Sequence, residues 1–300
     1  MKNVTTILTA FAIAIGLSSF GQALEATTQP VKISVGKKPT PTVERSVTEE
    51  KKETINLQTL GITSLPKYYA LIIGISDYQY TNAQLPNLGK PVEDAQKLRD
   101  VLVQNYAFDD QNVLLLKNPT REQIINHLDR LIQEVGEKDN LLVFYAGHGY
   151  YDKASDFGFW LPSDAKTSSR ASWIANSTIK DYIGAIKSKH TLLITDACFG
   201  GSIFKTRSVG NILMKFNEVY KEDSRKAITS GNLTEVPDQS IFLKYLLKSL
   251  DENQDVFLSS SMLFSRIYEP ILYNSPSTPQ FGVVQGAGDE GGDFVFIKKN

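Results

Sequence analysis

Two glycine-flanked turns carry side chains suited to nucleophilic chemistry: Tyr145-Ala146-Gly147-His148-Gly149 and Asp196-Ala197-Cys198-Phe199-Gly200-Gly201. A thiol attacks as its thiolate, and an adjacent imidazole promotes that form and then protonates the departing group. His148 fits the acid and base role and Cys198 the nucleophile. An acyl-transfer intermediate needs N–H donors for its oxyanion, and the backbone amides of Gly149 and Cys198 are the candidates. Glycines beside each residue allow tight turns and a close approach of substrate to backbone. No third side chain stands out as the one that must orient the histidine.

Each residue also has an ordinary reading, since an isolated histidine after a strand is commonly structural and an isolated cysteine commonly core. Their joint placement is harder to ascribe to packing. Each turn comes directly after an apolar run, Asn140 to Ala146 and Thr191 to Thr195, and the carboxyl ends of neighbouring parallel strands are where ligands bind in open α/β sheets. The other two histidines suit structural roles: His127 lies off the apolar stripe of its helix, and His190 begins the strand that leads to Cys198.

The elements that must position these turns alternate from Tyr68 onward. Tyr68 to Ile75 is a continuous apolar run, the pattern of a strand covered on both faces. Pro91 opens a helix to Tyr106, and Asn112 to Lys117 reads as a strand. Thr120 and Gln123 form a capping box ahead of an apolar stripe from Ile124 to Val135. A further helix is expected around Ile179 to Lys187, a strand at Ala227 to Ser230, helices near Ile241 to Leu250 and Ser259 to Leu272, and a last strand at Asp293 to Lys298. Alternation of this kind predicts an α/β fold with a mainly parallel central sheet and helices on both faces.

Composition narrows the function classes. The chain has 300 residues, 41% hydrophobic and 22% charged, with a formal net charge of -1, so it has the core of a globular protein and no basic field for nucleic acid. Lys2, the apolar run Ile7 to Leu17 and Gly21-Gln22-Ala23 read as a signal peptide over residues 1–23, so a periplasmic or secreted protein is expected. No other run is long enough for a membrane span. Residues 24–66, rich in Thr, Pro, Lys and Glu, read as a flexible linker or pro-segment, and 67–300 as the catalytic domain. Cys198 is the only cysteine, so an intramolecular disulfide is excluded.

Further motifs carry a family resemblance. Caspases are marked by Gln-Ala-Cys followed by Gly, with a histidine about 50 residues upstream. The interval from His148 to Cys198 agrees, while Asp196 in place of glutamine resembles metacaspases and the related bacterial caspase-like proteins. Ala70 to Asp77, Lys90 to Ala95, Trp160 to Ala165, Thr229-Ser230-Gly231 and Gly291 to Phe296 also resemble that group. The resemblance implies a caspase-like three-layer sandwich and a cysteine endopeptidase acting on peptides or proteins. Its metacaspase branch implies cleavage after Arg or Lys, with Asp94 and Asp196 receiving the basic side chain. The residues themselves leave Asp94 open as a solvated helix residue and Asp196 as an acceptor for turn amides. Some metacaspases have a polar residue two positions before the histidine, where this chain has Ala146.

Asp251, Asn253 and Asp255 copy the opening of a calcium loop, but Val256 and Met262 occupy its glycine and final-acid positions. Gly286 to Gly292 lacks the Lys-Ser/Thr of a phosphate loop and reads as a turn into the last strand. No zinc spacing occurs and no cofactor is expected, although the resemblance leaves calcium activation open. A thiol peptidase or transamidase of other specificity, and a latent scaffold without turnover, are the competing readings. Basic residues in two stretches, among them Lys37, Lys38, Arg45, Lys51 and Lys52, then Lys205, Arg207, Lys215, Lys221, Arg225 and Lys226, are expected to offer sites for self-cleavage.

Overall fold

The computed structural model describes residues 57–197, 204–206, 216–231 and 240–299. In chain order the first elements are β1 (Tyr68–Gly74), α1 (Pro91–Asn105), β2 (Val113–Lys117), α2 (Arg121–Glu134), β3 (Asn140–Ala146), β4 (Gly149–Asp152), β5 (Phe157–Trp160), β6 (Ile174–Ala175), α3 (Asn176–Ala185) and β7 (His190–Asp196). They continue as β8 (Phe204–Thr206), α4 (Phe216–Val219), β9 (Ser224–Thr229), α5 (Ile241–Asp251), β10 (Phe257–Ser259), α6 (Ser260–Asn274), β11 (Gln280–Val284) and β12 (Val295–Ile297). Among the described residues, a seven-stranded sheet runs β2-β1-β3-β7-β9-β11-β8. The five strands from β2 to β9 are parallel, and β11 and β8 close the edge antiparallel.

The apolar runs of β1, β3 and β7 have the cause expected of them: both faces of the sheet are covered. Alternate residues enter different cores. Ala70, Ile72, Leu142, Phe144, Ala146 and Ile194 pack with α1, α5 and α6. Leu71, Ile73, Leu141, Val143, Tyr145 and Leu193 pack with α2 and α3. The result is the predicted α/β sandwich of three layers. The Thr120 hydroxyl accepts from the Gln123 amide and the Gln123 side chain accepts from Thr120, completing the expected capping box.

A second, antiparallel sheet, β4-β5-β6, lies on the α2/α3 side and has no counterpart in the sequence-based expectation. Its Trp160 is fully buried and stacks on Tyr145 with ring centroids 4.3 Å apart. β10 pairs with β12, a shorter strand than the expected Asp293 to Lys298.

Two expectations need amendment. Residues 57–60, inside the expected linker, form a turn of 3-10 helix, and Leu60 is buried in the core beside α1. The apolar pair Leu57 and Leu60 brackets this turn, so the packed body begins ahead of residue 67. Arg225 and Lys226 are not solvated basic residues: they are buried in β9, where Lys226 pairs with buried Asp289 at 2.9 Å. The Arg225 guanidinium donates to the carbonyls of Ser188, Lys189 and Ser224. No helix among the described residues is long and apolar enough to cross a membrane. Residues 1–56, including the expected signal peptide, lie outside the described residues.

Candidate active site

The register of the central sheet sets the site. Ala146 and Asp196 are partners at the carboxyl ends of β3 and β7, so the turns after these two strands emerge at one edge. His148 comes two positions after β3. Cys198 comes two positions after β7 and lies outside the described residues.

The His148 turn is held by two tyrosines. Its N–H donates to the Tyr78 hydroxyl at 2.7 Å, and its carbonyl accepts from the Tyr145 hydroxyl at 2.6 Å and the Leu161 N–H at 3.1 Å. Gly147 passes directly over both hydroxyls, so that a Cβ there would meet each oxygen at 3.1 Å. Any larger residue would press on the groups that fix the histidine backbone. Tyr78 also lies against the imidazole, with ring centroids 5.1 Å apart. Burial holds the Tyr78 and Tyr145 hydroxyls well above the usual phenol range, so both keep their protons as hydrogen-bonding groups.

The imidazole is oriented by a main-chain group. His148 Nε2 lies 2.9 Å from the Pro86 carbonyl, which can only accept, so Nε2 carries the proton and Nδ1 has the lone pair. Desolvation lowers the imidazole from its usual 6.5, and the Pro86 bond opposes that shift. A neutral ring with a fixed tautomer is the state a base requires. The Pro86 loop is itself tied down: Tyr78 N–H donates to Asn87 Oδ1 at 2.8 Å and Leu88 N–H to the Ser76 carbonyl at 2.8 Å. From the far side, Asn118 Oδ1 accepts from the amides of Ser76 and Asp77.

Asp196, at the end of β7, is buried with 8% of its surface exposed. Burial raises its carboxyl from 3.8 to about 6; bonds from the Ser240 and Ser230 hydroxyls oppose this, and repulsion from Asp94 adds to it. Ser240 is itself fixed as the cap of α5, accepting from the Leu243 amide at 3.0 Å. Asp94 lies in the first turn of α1, half-buried, and burial also raises its carboxyl, against the pull of Lys97 at 3.7 Å. Glu93 raises it further, and Lys90 with Lys97 opposes the shift. Both carboxylates therefore stand on the α1/α5 side of the sheet edge, poorly hydrated and, among the described residues, without a strong cationic partner for Asp196. Such a pair is suited to a guanidinium or ammonium brought by a ligand.

The remaining sequence candidates separate from this cluster. Gly149 opens β4 opposite Trp160. His190 stands at the other end of β7, fully buried, with Nδ1 2.9 Å from Ser224 Oγ and a ring held neutral by burial, at about 3. His127 remains on α2, lowered by burial and Arg130. Around the calcium-like loop, Arg266 binds both Asn253 Oδ1 and Asp255 Oδ2, and Lys298 donates to the Asn253 carbonyl, so cationic side chains already hold those oxygens. No grouping of three or more His, Cys, Asp or Glu suited to a metal occurs among the described residues. The turn from Gly286 to Gly292 carries positive φ at Gly286, Gly288 and Gly291 and leads into β12.

Pro86 and Tyr78 were not singled out by the sequence. A carbonyl that orients a histidine leaves no trace in residue type, and a tyrosine just beyond a strand resembles any loop aromatic.

Comparison with known proteins shows the family to which the fold belongs. The profile of the caspase domain matches residues 67–265. The chain is 26% identical over 208 residues to Metacaspase-6 of Arabidopsis thaliana, covering 62% of this chain and 54% of that protein. It is 28% identical over 88 residues to Metacaspase-1 of Eremothecium gossypii, covering 27% of this chain and 19% of that protein. The chain thus spans about half the length of the first relative and about a fifth of the second. A crystal structure of a protein from Geobacter sulfurreducens superimposes with a TM-score of 0.51 at 16% identity, over 75% of this chain and 97% of that one, a likeness of fold.

Proposed function

The chain belongs to the caspase-domain family, and on that premise we propose that it is a cysteine endopeptidase that cuts peptide bonds after Arg or Lys. Cys198 is its nucleophile and His148 its base and acid. The observation that carries the proposal is the imidazole itself, neutral, fixed by Pro86 through Nε2 and set at the strand edge that also leads to Cys198.

In the reaction, Nδ1 of His148 takes the Cys198 proton and the thiolate forms a bond to the scissile carbonyl carbon. The developing oxyanion is met by backbone amides, those of Gly149 and Cys198 in this proposal. The imidazolium then gives its proton to the amine as the C–N bond breaks, leaving a thioester. Water attacks that thioester, gives a proton to His148, and the thiol is regenerated with a free carboxylate on the product. Asp196 and Asp94 receive the basic side chain of the residue that supplies the carbonyl. The apolar run from Ile7 to Leu17 supports export, and basic residues flanking the packed body support processing by its own activity.

A positional scan of fluorogenic peptides with the wild-type protein and its Cys198→Ala and His148→Ala variants tests this. Cleavage after Arg or Lys, lost in both variants while they remain folded, is expected. Cleavage after Asp or Asn refutes the pocket assignment. Near wild-type activity in either variant refutes the dyad, and no hydrolysis of any peptide favours a latent scaffold.

A further inference from the structure

Resting on the endopeptidase reading above, the geometry points to a second substrate pocket, beside His148, that takes an aromatic side chain from the residue immediately after the cut. The pocket is a cavity of about 390 Å³ lined by His148, Gly149, Tyr150, Leu161, Arg170 and Trp173, with Gln84 and the hydroxyl residues of 167–169 completing it.

Three observations place the leaving residue there. The imidazole that protonates the departing amine must touch the residue that carries it, so the first side chain of the leaving peptide lies against His148. The carboxylates for the basic side chain are elsewhere: Asp196 shares the sheet face of Ala146 and Ile194, packed by α1, α5 and α6. The cavity instead belongs to the opposite face, where Tyr145, Trp160, Leu161 and Trp173 form one core and β4, β5 and β6 overlie it. The two pockets therefore flank the His148 turn from opposite sides of the sheet edge.

The walls choose the ligand class. Tyr150 and Trp173 have ring centroids 5.1 Å apart, and the Arg170 guanidinium lies 5.5 Å from the Tyr150 ring and 6.0 Å from the Trp173 ring. Its charge is met by Asp152 at 2.7 Å, so the pocket presents a cation face for stacking without an unpaired charge to attract an acid. Trp173 is pinned by its Nε1 donating to the Lys166 carbonyl at 3.0 Å, whereas Tyr150 is 40% exposed at the cavity wall. A ring entering there covers Tyr150 and meets preformed aromatic walls.

The test uses internally quenched peptides with arginine fixed before the cut and Phe, Tyr, Ala, Gly, Asp or Lys after it. The wild-type protein is expected to favour Phe and Tyr over Gly in kcat/KM by about 10-fold or more, the scale of a side chain filling a preformed pocket. Tyr150→Ala, at an exposed position, brings the Phe to Gly ratio to within about threefold, and so does Thr167→Trp, which fills the cavity from its rim. Equal cleavage of all six peptides by the wild type overturns the pocket and leaves the endopeptidase reading standing. A preference for Asp or Lys, or an unchanged Phe to Gly ratio in both variants, overturns it as well. Absence of cleavage in every peptide overturns the endopeptidase reading and the pocket with it.

Discussion

Asp196→Asn is expected to make the protein more stable and less able to cut after arginine, and the two effects have one cause. The carboxyl is carried from 3.8 to about 6 mainly because burial strips its hydration. Holding it ionised at neutral pH therefore costs the folded chain about 3 kcal/mol relative to a group that titrates normally. The sign comes from proton binding. Between 3.8 and about 6 the folded chain binds a proton that the unfolded chain has released, so stability falls as pH rises through that window. Below it the penalty is absent; above it the penalty is complete. Asparagine has nearly the same shape and no charge, and retains an oxygen for the Ser240 or Ser230 hydroxyl. Thermal melts in a Cys198→Ala background, which removes self-digestion, are expected to show Asp196→Asn melting about 6 to 12 °C higher near pH 8. Near pH 4 the gain shrinks to about nothing, since both proteins are then neutral at this position. On the active protein, the same substitution lowers kcat/KM for arginine peptides by about 10- to 100-fold, through loss of a desolvated partner. A variant no more stable at high pH, or stabilised equally at both pH values, refutes the burial argument; arginine cleavage at the wild-type rate refutes the pocket.

Tyr78→Phe deletes the hydroxyl that accepts the His148 N–H and is expected to cost about 1 to 2 kcal/mol in urea unfolding. With the imidazole turn loosened, kcat falls by about 10-fold while KM changes little, and a wild-type kcat sinks the positioning role. Asp289→Asn leaves Lys226 buried without a countercharge and is expected to destabilise by about 3 kcal/mol or more; a loss under about 1 kcal/mol would show that the pair is dispensable. Self-processing is expected as at least one cut after a basic residue, either in the polar segment ahead of residue 57 or at Lys205, Arg207, Lys215 or Lys221. Arg225 and Lys226 are excluded by their burial in β9. Intact-mass spectrometry beside the Cys198→Ala protein decides it, and an unchanged wild-type mass with and without calcium rules it out.

The parts of the fold legible in the sequence are those whose pattern reports their own surroundings. Asn140 to Ala146 is apolar at every position but the first because helices cover both faces of β3, and Thr120 with Gln123 declares a helix start through two bonds made within four residues. The small sheet carries no such signal. Its strands have four, four and two residues, too few for alternation to register, and their aromatic residues are explained by Tyr145 and the cavity beside His148. Lys226 resembles a solvated lysine in the sequence because its partner, Asp289, lies far along the chain in a glycine-rich turn. The candidate site divides in the same way. His148, Asp94 and Asp196 are visible as residue types at motif positions, whereas the Pro86 carbonyl and the hydroxyl of Tyr78 act through a loop closure that only the fold supplies.

Burial at one sheet edge has opposite effects on the two kinds of titratable group there, and this suits the proposed reaction. Desolvation disfavours charge, so it pushes His148 down toward the neutral base and Asp196 up toward the neutral acid. The imidazole gains reactivity by this, because a lone pair at Nδ1 is what the thiol proton needs. The aspartate is ionised at neutral pH at a cost that an arriving cation offsets. A basic side chain entering beside Asp196 therefore lowers its carboxyl again and recovers part of the cost that burial imposed, an interaction that a neutral side chain cannot offer. In the proposed pocket, selectivity for a basic residue rests on a carboxylate kept dry until the right ligand replaces its water. Asp94 strengthens this arrangement, since its repulsion holds Asp196 higher before the ligand arrives and its attraction adds to the hold on the ligand afterwards.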